Sequence, residues 1–434
     1  MEYLRGGVGL LFLVMVAFLF SKDKKAIDWK LVGIGILLQI IFGLLITKVD
    51  FVNQLFNIVS TGFVKFLSFS SDGARFLFGD LAGDSYGFIF AFQVLPTIIF
   101  FSTISSGLYY LGVLQKVVFG IAWVMSRTMR LSGAESLSAA GNIFLGQTEA
   151  PLLVRPFVPN MTKSELMCLM TGGMATIAGG VLAGYVAFLG GNDPAEQAKF
   201  AAYLLSASIM NAPAAIVISK IILPEKNPEK LDRNLHVNEE SLGVNLIDAL
   251  SRGATEGLKL ALNVGAMLLA FIAVIASINY FLSGIIGEST GLNSIIIEST
   301  GGQFQGLSLE YILGQVFRIF AFLMGVTWDD TLAVGSLLGQ KTVINEFVAY
   351  LGLAEMKNAG ILEPKSIIIA TYALCGFSNF SSIAIQIGGI GAMAPNQQEN
   401  LSRLGMKALL AATLACMMTA TIAGAITGGE ELYK

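Results

Sequence analysis

Gln147, Thr148 and Glu149 stand side by side between Gly146 and Ala150-Pro151, inside a long apolar run. An amide, a hydroxyl and a carboxylate in sequence supply donors and acceptors in one compact patch. Asn345-Glu346-Phe347 repeats the theme in the second half of the chain. A carboxylate at membrane depth costs about 2.5–3.5 kcal/mol on insertion scales, so it normally faces a cavity and has a task there. A carboxylate that accepts from two vicinal hydroxyls is one way to hold a sugar. Free carbonyls near Leu145 suit a small hard cation, and helix N-terminal amides after the turn suit a ligand's acceptors. Asn379 and Ser382, three positions apart, read as one helix face. They either complete such a site or act as interhelical glue at about 0.6 kcal/mol per contact. The first patch has its own alternative, a structural turn whose glutamate is paired internally.

The elements that hold these groups must live in lipid. Of 434 residues, 54% are hydrophobic and 13% charged, against about 25% charged in soluble domains. That composition reads as an all-α polytopic membrane protein. A net charge of -3 without a basic cluster argues against a nucleic-acid surface. Cys168, Cys375 and Cys416 lie in apolar segments without metal or redox spacing, which argues against a disulfide framework. His236 is the only histidine and sits in a hydrophilic link, so imidazole proton relays are not expected. The apolar stretch at 10–20 lacks a small-residue cleavage site and reads as a retained span.

About eight spans follow, at 8–20, 31–47, 88–111, 166–189, 201–223, 258–282, 366–390 and 406–426. Lys22, Lys24, Lys25 and Lys30 in the first link place it inside by the positive-inside rule; Lys220, Lys226, Lys230, Arg233, Arg403 and Lys407 then fall inside too. Both chain ends fall outside. The count closes if each polar patch enters and leaves on one side. The run from Ser136 to Pro151 is too short and too interrupted to cross, so a re-entrant helical hairpin is expected there and again around Glu346. Asn53, Asn57, Thr61 and Lys65 recur every four residues on an otherwise apolar stretch, suiting a helix at the interface or against a bundle; an ordinary short span is the other reading. In each half a polar patch precedes a span with mid-membrane polar groups, an inverted repeat of the kind found in secondary transporters. Asp329 and Asp330, beside Trp328, read as interfacial rather than as part of a site.

Longer motifs carry a resemblance. Asn142-Ile143-Phe144-Leu145-Gly146-Gln147-Thr148-Glu149-Ala150-Pro151, with Val154-Arg155-Pro156, is close to the first-hairpin signature of the concentrative nucleoside transporters. Asn345 to Tyr350 and Cys375 to Ile383 resemble its other two signatures, and Thr176 to Val181 and Leu95 to Phe101 also match. The resemblance implies a homotrimer in the cytoplasmic membrane, each subunit holding a scaffold and a transport domain with two re-entrant hairpins and broken helices. It divides the chain into scaffold at 1–130, first transport half at 131–223, linker at 224–257, scaffold helix and outer loop at 258–309, and second transport half at 310–434.

The resemblance further implies that Gln147, Thr148 and Glu149 contact a nucleobase lined by Val181. Glu346, Asn379 and Ser382 hold the ribose, with Phe377 beside the ligand. A sodium ion takes the side chains of Asn142 and Thr176 and the backbone oxygens of Leu145, Thr176 and Ile177. Sodium, the coupling ion, is favoured over the proton because proton-driven relatives lack the hairpin asparagine that Asn142 supplies; a proton-coupled symporter is the alternative. No cofactor and no catalytic residue are expected. A channel or an intramembrane enzyme are the competing classes, and neither a filter repeat nor a nucleophile–histidine arrangement supports them.

Overall fold

The computed structural model describes residues 2–87, 89–191, 193–235 and 243–427; His236 lies outside them. Among the described residues all regular structure is helical. The first half comprises α1 (Glu2–Leu19), α2 (Trp29–Lys48), α3 (Asp50–Phe78), α4 (Leu95–Tyr110), α5 (Val113–Met129), α6 (Gly133–Gly141), α7 (Lys163–Ala175), α8 (Gly179–Gly190) and α9 (Pro194–Ile222). The second comprises α10 (Leu246–Asn279), α11 (Leu309–Met324), α12 (Thr331–Val343), α13 (Glu346–Asn358), α14 (Pro364–Leu374), α15 (Phe380–Met393) and α16 (Gln398–Thr427). Among the described residues six helical columns are long and apolar enough to cross a membrane, and the shorter apolar helices Tyr3–Leu19 and Phe380–Met393 add to them.

Each half runs hairpin, broken helix, long helix, as the repeat requires. The first hairpin descends α6 to a non-helical tip and returns through a 3-10 turn at Ala150–Val154. The second turns between α12 and α13, where Asn345 starts α13 by accepting from the Val348 amide at 3.0 Å. The spans expected at 166–189 and 366–390 are both interrupted, at 176–178 and 375–379, as the resemblance's broken helices imply. Backbone freed at that depth must be satisfied by protein. Asn211 on α9 does so, donating to the carbonyls of Ala175 and Cys375 at 2.8 Å each. The two breaks touch: the Phe377 amide donates to the Thr176 carbonyl at 3.4 Å. Gly376 has φ +146, and an added Cβ would lie 2.6 Å from the Ala175 oxygen, so the contact requires glycine.

Packing follows the small residues. Gly253 and Gly257 let α10 lie against Ser102, Ser106 and Ile99 of α4, the close approach that small residues four apart permit. Helices α1 and α2 rest on α9 and α16, and α12 lies along α11. The helix carrying the Asn53–Asn57 stripe is α3, laid against α9 and α4; Asn57 donates to Asn53 at 3.1 Å. Helix α5 was absent from the expected spans because Lys116 and Arg127 break its hydropathy. It packs on α6, with Arg127 over the Trp123 ring at 4.6 Å.

The base of the first hairpin is fixed by charge. Ser132 and Glu135 form a reciprocal cap on α6, a pairing that satisfies two free amides at a helix start. Glu135 is also ion-paired with buried Lys220 of α9, and Lys220 donates to Ser164 of α7 at 2.9 Å.

Candidate functional site

Four non-helical segments converge, and Gln147, Glu346, Asn379 and Ser382 meet there. On the first tip, the Gln147 amide donates to the Ser382 hydroxyl at 3.1 Å. On the second, Glu346 opens α13 and its Oε2 accepts from Asn379 Nδ2 at 2.7 Å. Asn379 is the N-cap of α15: its Oδ1 accepts from the Ser382 amide at 2.9 Å and from the Ser381 hydroxyl at 2.7 Å. Asn379 and Ser382 therefore act as cap and third helical residue rather than as neighbours on one helix face, because the chain breaks just before Phe380. The path Gln147–Ser382–Asn379–Glu346 joins the two hairpins through one helix start, and all four side chains are buried.

Thr148 and Glu149 are exposed. Glu149 Oε2 accepts from the Gly146 amide at 3.2 Å, closing the tip turn. Thr148 lies over Gly389 of α15, whose added Cβ would stand 3.4 Å from its methyl. Val181 is buried on α8, and Phe377 is buried at the second break.

Two partners were missed. Tyr185, one turn beyond Val181, donates to Glu346 Oε1 at 3.1 Å. Gln386, one turn beyond Ser382, donates to Gln147 Oε1 at 3.2 Å and to the Met170 carbonyl at 3.1 Å. Both were findable by four-residue helical spacing from a residue already singled out. Lys341 also lies buried in the second hairpin, donating to the Ala373 carbonyl at 2.9 Å near the end of α14.

The residues expected to hold the ion begin with Asn142. This side chain is 0% exposed, its Nδ2 reaches Ser138 at 3.5 Å, and its Oδ1 has no hydrogen-bond partner. An orphaned buried acceptor requires an explanation, and a bound cation supplies one. The first tip and first break meet here, with the Gly179 amide donating to the Phe144 carbonyl at 3.2 Å. Thr176 donates to the Gly172 carbonyl at 2.8 Å, leaving its hydroxyl oxygen able to accept. Among the described residues no backbone donor meets the carbonyls of Leu145 or Ile177. Neutral oxygens of this kind fit a hard monovalent cation. No group of three or more His, Cys, Asp or Glu suited to a metal occurs among the described residues.

Asp330 lies outside this assembly, accepting from Thr327 at 3.0 Å and the Glu363 amide at 2.9 Å. With Asp329, Arg318 and Trp328 it lines a separate cavity of about 960 Å³ at the base of the second hairpin.

Residues 203–424 match the family described as Na+ dependent nucleoside transporter C-terminus, 8–81 its N-terminus, and 91–192 the nucleoside recognition Gate family. The chain belongs to the concentrative, Na+-dependent nucleoside transporter family. Members of this family are transporters, not enzymes. An uncharacterized transporter of Haemophilus influenzae is 42% identical over 436 residues, 99% of each chain. Solute carrier family 28 member 3 of Eptatretus stoutii is 41% identical over 435 residues, 96% of this chain but 60% of that longer one. The structure of CNTnw in an inward-facing substrate-bound state superposes with a TM-score of 0.89, at 38% identity and 99% coverage of both chains. As a member of this family the chain is an integral membrane protein, in keeping with the helices long and apolar enough to cross a membrane among the described residues.

Proposed function

We propose that the chain is a sodium-coupled nucleoside symporter, accumulating nucleosides across the cytoplasmic membrane by alternating access of the elevator type. The observation that carries this reading is the buried path Gln147–Ser382–Asn379–Glu346, beside the orphaned Asn142 Oδ1.

Glu346, Asn379 and Ser382 take the ribose. A carboxylate has about four lone-pair sites; Tyr185 and Asn379 occupy two at Glu346, which leaves two for vicinal hydroxyls. Gln147, Thr148 and Glu149 take the nucleobase, with Val181 lining it and Phe377 beside the ligand. Gln147 keeps one amide proton and one lone pair after bonding Ser382 and Gln386, a donor–acceptor pair suited to a base edge.

Sodium is cargo here, taken by the side chains of Asn142 and Thr176 and the carbonyls of Leu145, Thr176 and Ile177. Leu145 immediately precedes the Gly146-Gln147 tip. A cation that orders this bend raises nucleoside affinity, and by linkage the nucleoside raises cation affinity to the same degree. One charge moving down 100 mV supplies about 2.3 kcal/mol, which sustains roughly fifty-fold accumulation at 1.4 kcal/mol per decade.

The moving body comprises 131–223 and 310–434, working against 1–130 and 258–309; the linker at 224–257 leads from its first half into α10, which is helical from Leu246. The subunit works as one of three in a bilayer. Exposed apolar side chains on α10, among them Leu262, Leu269 and Ile272, suit lipid or a second copy.

Uptake of uridine, adenosine and thymidine into vesicles of the purified protein tests the reading. A sodium gradient is expected to drive accumulation in each productive case, and potassium is not. Accumulation driven by a pH gradient in sodium-free medium would establish the proton-coupled alternative instead.

A further inference from the structure

The link from α1 to α2, the start of α7 and the start of α16 meet around a cavity of about 340 Å³. Lys22, Lys163, Arg403 and Lys407 line it with Asn400 and two leucines, and no lining residue is acidic. Arg403 is paired with Glu399 at 2.7 Å. Lys22, Lys163 and Lys407 have no carboxylate partner among the described residues. The nearby carboxylates are committed elsewhere: Asp23 pairs with Lys226 at 2.7 Å, and Glu225 accepts from the Thr162 hydroxyl at 2.6 Å. Like charges around one void repel, and an anion seated between them relieves that repulsion. The backbone frame is held in place, the Lys22 amide donating to the Ile222 carbonyl at 2.9 Å.

The cavity sits where lipid headgroups would be. Phe20 and Trp29 are exposed at this end of α1 and α2, and the Trp29 ring stands 6.1 Å from that of Phe18; aromatic residues of this kind mark the membrane–water boundary. Along α1, exposed Leu4, Val8, Leu11, Met15 and Leu19 recur at steps of three or four residues, an apolar stripe that ends three residues before Lys22. At 1.5 Å per residue it runs on the order of 22 Å, more than half of a hydrocarbon core about 30 Å thick. A cationic void closing an apolar stripe has the layout of a phospholipid.

We propose that this pocket binds the phosphate of an anionic phospholipid, with an acyl chain lying along α1. Three unpaired ammonium groups favour a headgroup of net negative charge over a zwitterionic one. Basic pockets at the positively charged face of membrane proteins are known to hold such headgroups. The lipid would tie the α1–α2 link to the starts of α7 and α16.

The test uses the full chain with Trp29 as its sole tryptophan (Trp123→Phe, Trp328→Phe), reconstituted in phosphatidylcholine vesicles. Bromine-labelled phosphatidylglycerol or phosphatidylcholine is titrated in, and quenching of Trp29 is read. Phosphatidylglycerol is expected to quench saturably and at the lower mole fraction. Each lysine removed is expected to lower that preference about five-fold, so Lys22→Gln/Lys163→Gln/Lys407→Gln abolishes it. All three are exposed, and an unchanged melting temperature verifies the fold; Lys407→Glu alone gives the same direction. Lys24→Gln/Lys25→Gln, on the same link but outside the pocket, is expected to keep the preference. Retention of the preference by the triple variant, or its equal loss in the control pair, overturns the proposal. Displacement of the labelled lipid by millimolar inorganic phosphate overturns it too, since the pocket would then serve a soluble anion.

Discussion

Asn379 donates to Glu346 Oε2 at 2.7 Å while its own Oδ1 accepts from the Ser382 amide at 2.9 Å. One side chain thus caps a half-helix and grips the carboxylate of the opposing hairpin. A group that reorients Glu346 is felt at once by α15, and through Ser382 by Gln147 on the other hairpin.

Glu346→Gln keeps the shape of that carboxylate and removes its charge. Hydrogen bonds to charged groups are worth about 1.5–3 kcal/mol, so the uridine KM is expected to rise roughly ten- to hundred-fold. Deoxyribosides, lacking one hydroxyl, should lose less. Competition uptake in vesicles measures both. Unchanged uridine affinity would remove Glu346 from the ribose site.

Gln386→Leu leaves Gln147 Oε1 and the Met170 carbonyl without their donor. A buried acceptor left alone costs about 1–3 kcal/mol, and Gln147 is then free to turn its amide. Uridine and adenosine uptake should both weaken and their ratio should change, while half-saturation by sodium stays put. If the ratio of the two nucleosides is untouched, Gln386 does not position Gln147.

What could be read in advance divides by physical cause. The two tips were legible because a carboxylate among apolar residues is costly, so Glu149 and Glu346 announced themselves. The positions of the breaks at 176–178 and 375–379 were not, although the family resemblance implied broken helices: Thr176, Gly376 and Ser378 are small residues that a continuous membrane helix tolerates, and hydropathy averages over them. The carbonyls freed at those breaks are satisfied by a tertiary contact, Asn211 donating to both Ala175 and Cys375. Asn379 was identified as polar and important, yet its role as a cap depends on where α15 begins, and spacing alone assumed the helix ran through. Tyr185 and Gln386 were passed over because neither is costly enough by itself to stand out.

Lys220→Met tests the anchor of the first hairpin. Removing one member of a buried ion pair costs about 3–5 kcal/mol, because the other is left charged and alone. Glu135 would be that group, at 2% exposure. The variant should lose most folded protein on heating in detergent, and Glu135→Gln/Lys220→Met should recover much of it. A single variant as stable as the parent would show the pair to be dispensable.

The elevator reading predicts that α8 slides past α4. A Cβ on Gly180 would stand 3.8 Å from the Ser102 hydroxyl, so Ser102→Cys/Gly180→Cys brings two thiols within reach; the native cysteines are buried and free. Oxidation should arrest uptake and reduction should restore it, with both single variants active throughout. Full uptake by the oxidised pair would mean that these helices keep their relation during transport.

Asn142→Ser addresses the cation. Asn142 Oδ1 is a buried amide oxygen without a donor, and in the proposed site it acts with the Thr176 hydroxyl and the Leu145, Thr176 and Ile177 carbonyls. Serine keeps a polar oxygen but sits nearer the backbone, so it withdraws one ligand without adding bulk or charge. Half-saturation by sodium is expected to rise about tenfold, the scale of one lost contact to a charged group. Because the ion acts on the nucleoside through the Leu145–Gly146 bend, uridine KM at low sodium should rise with it and return toward the parent value when sodium saturates. That recovery separates a coupling defect from a damaged base site, where excess sodium would restore nothing. Thermal unfolding should be little changed, since the orphaned oxygen contributes no internal hydrogen bond. A variant that keeps the parent sodium curve would place the cation elsewhere.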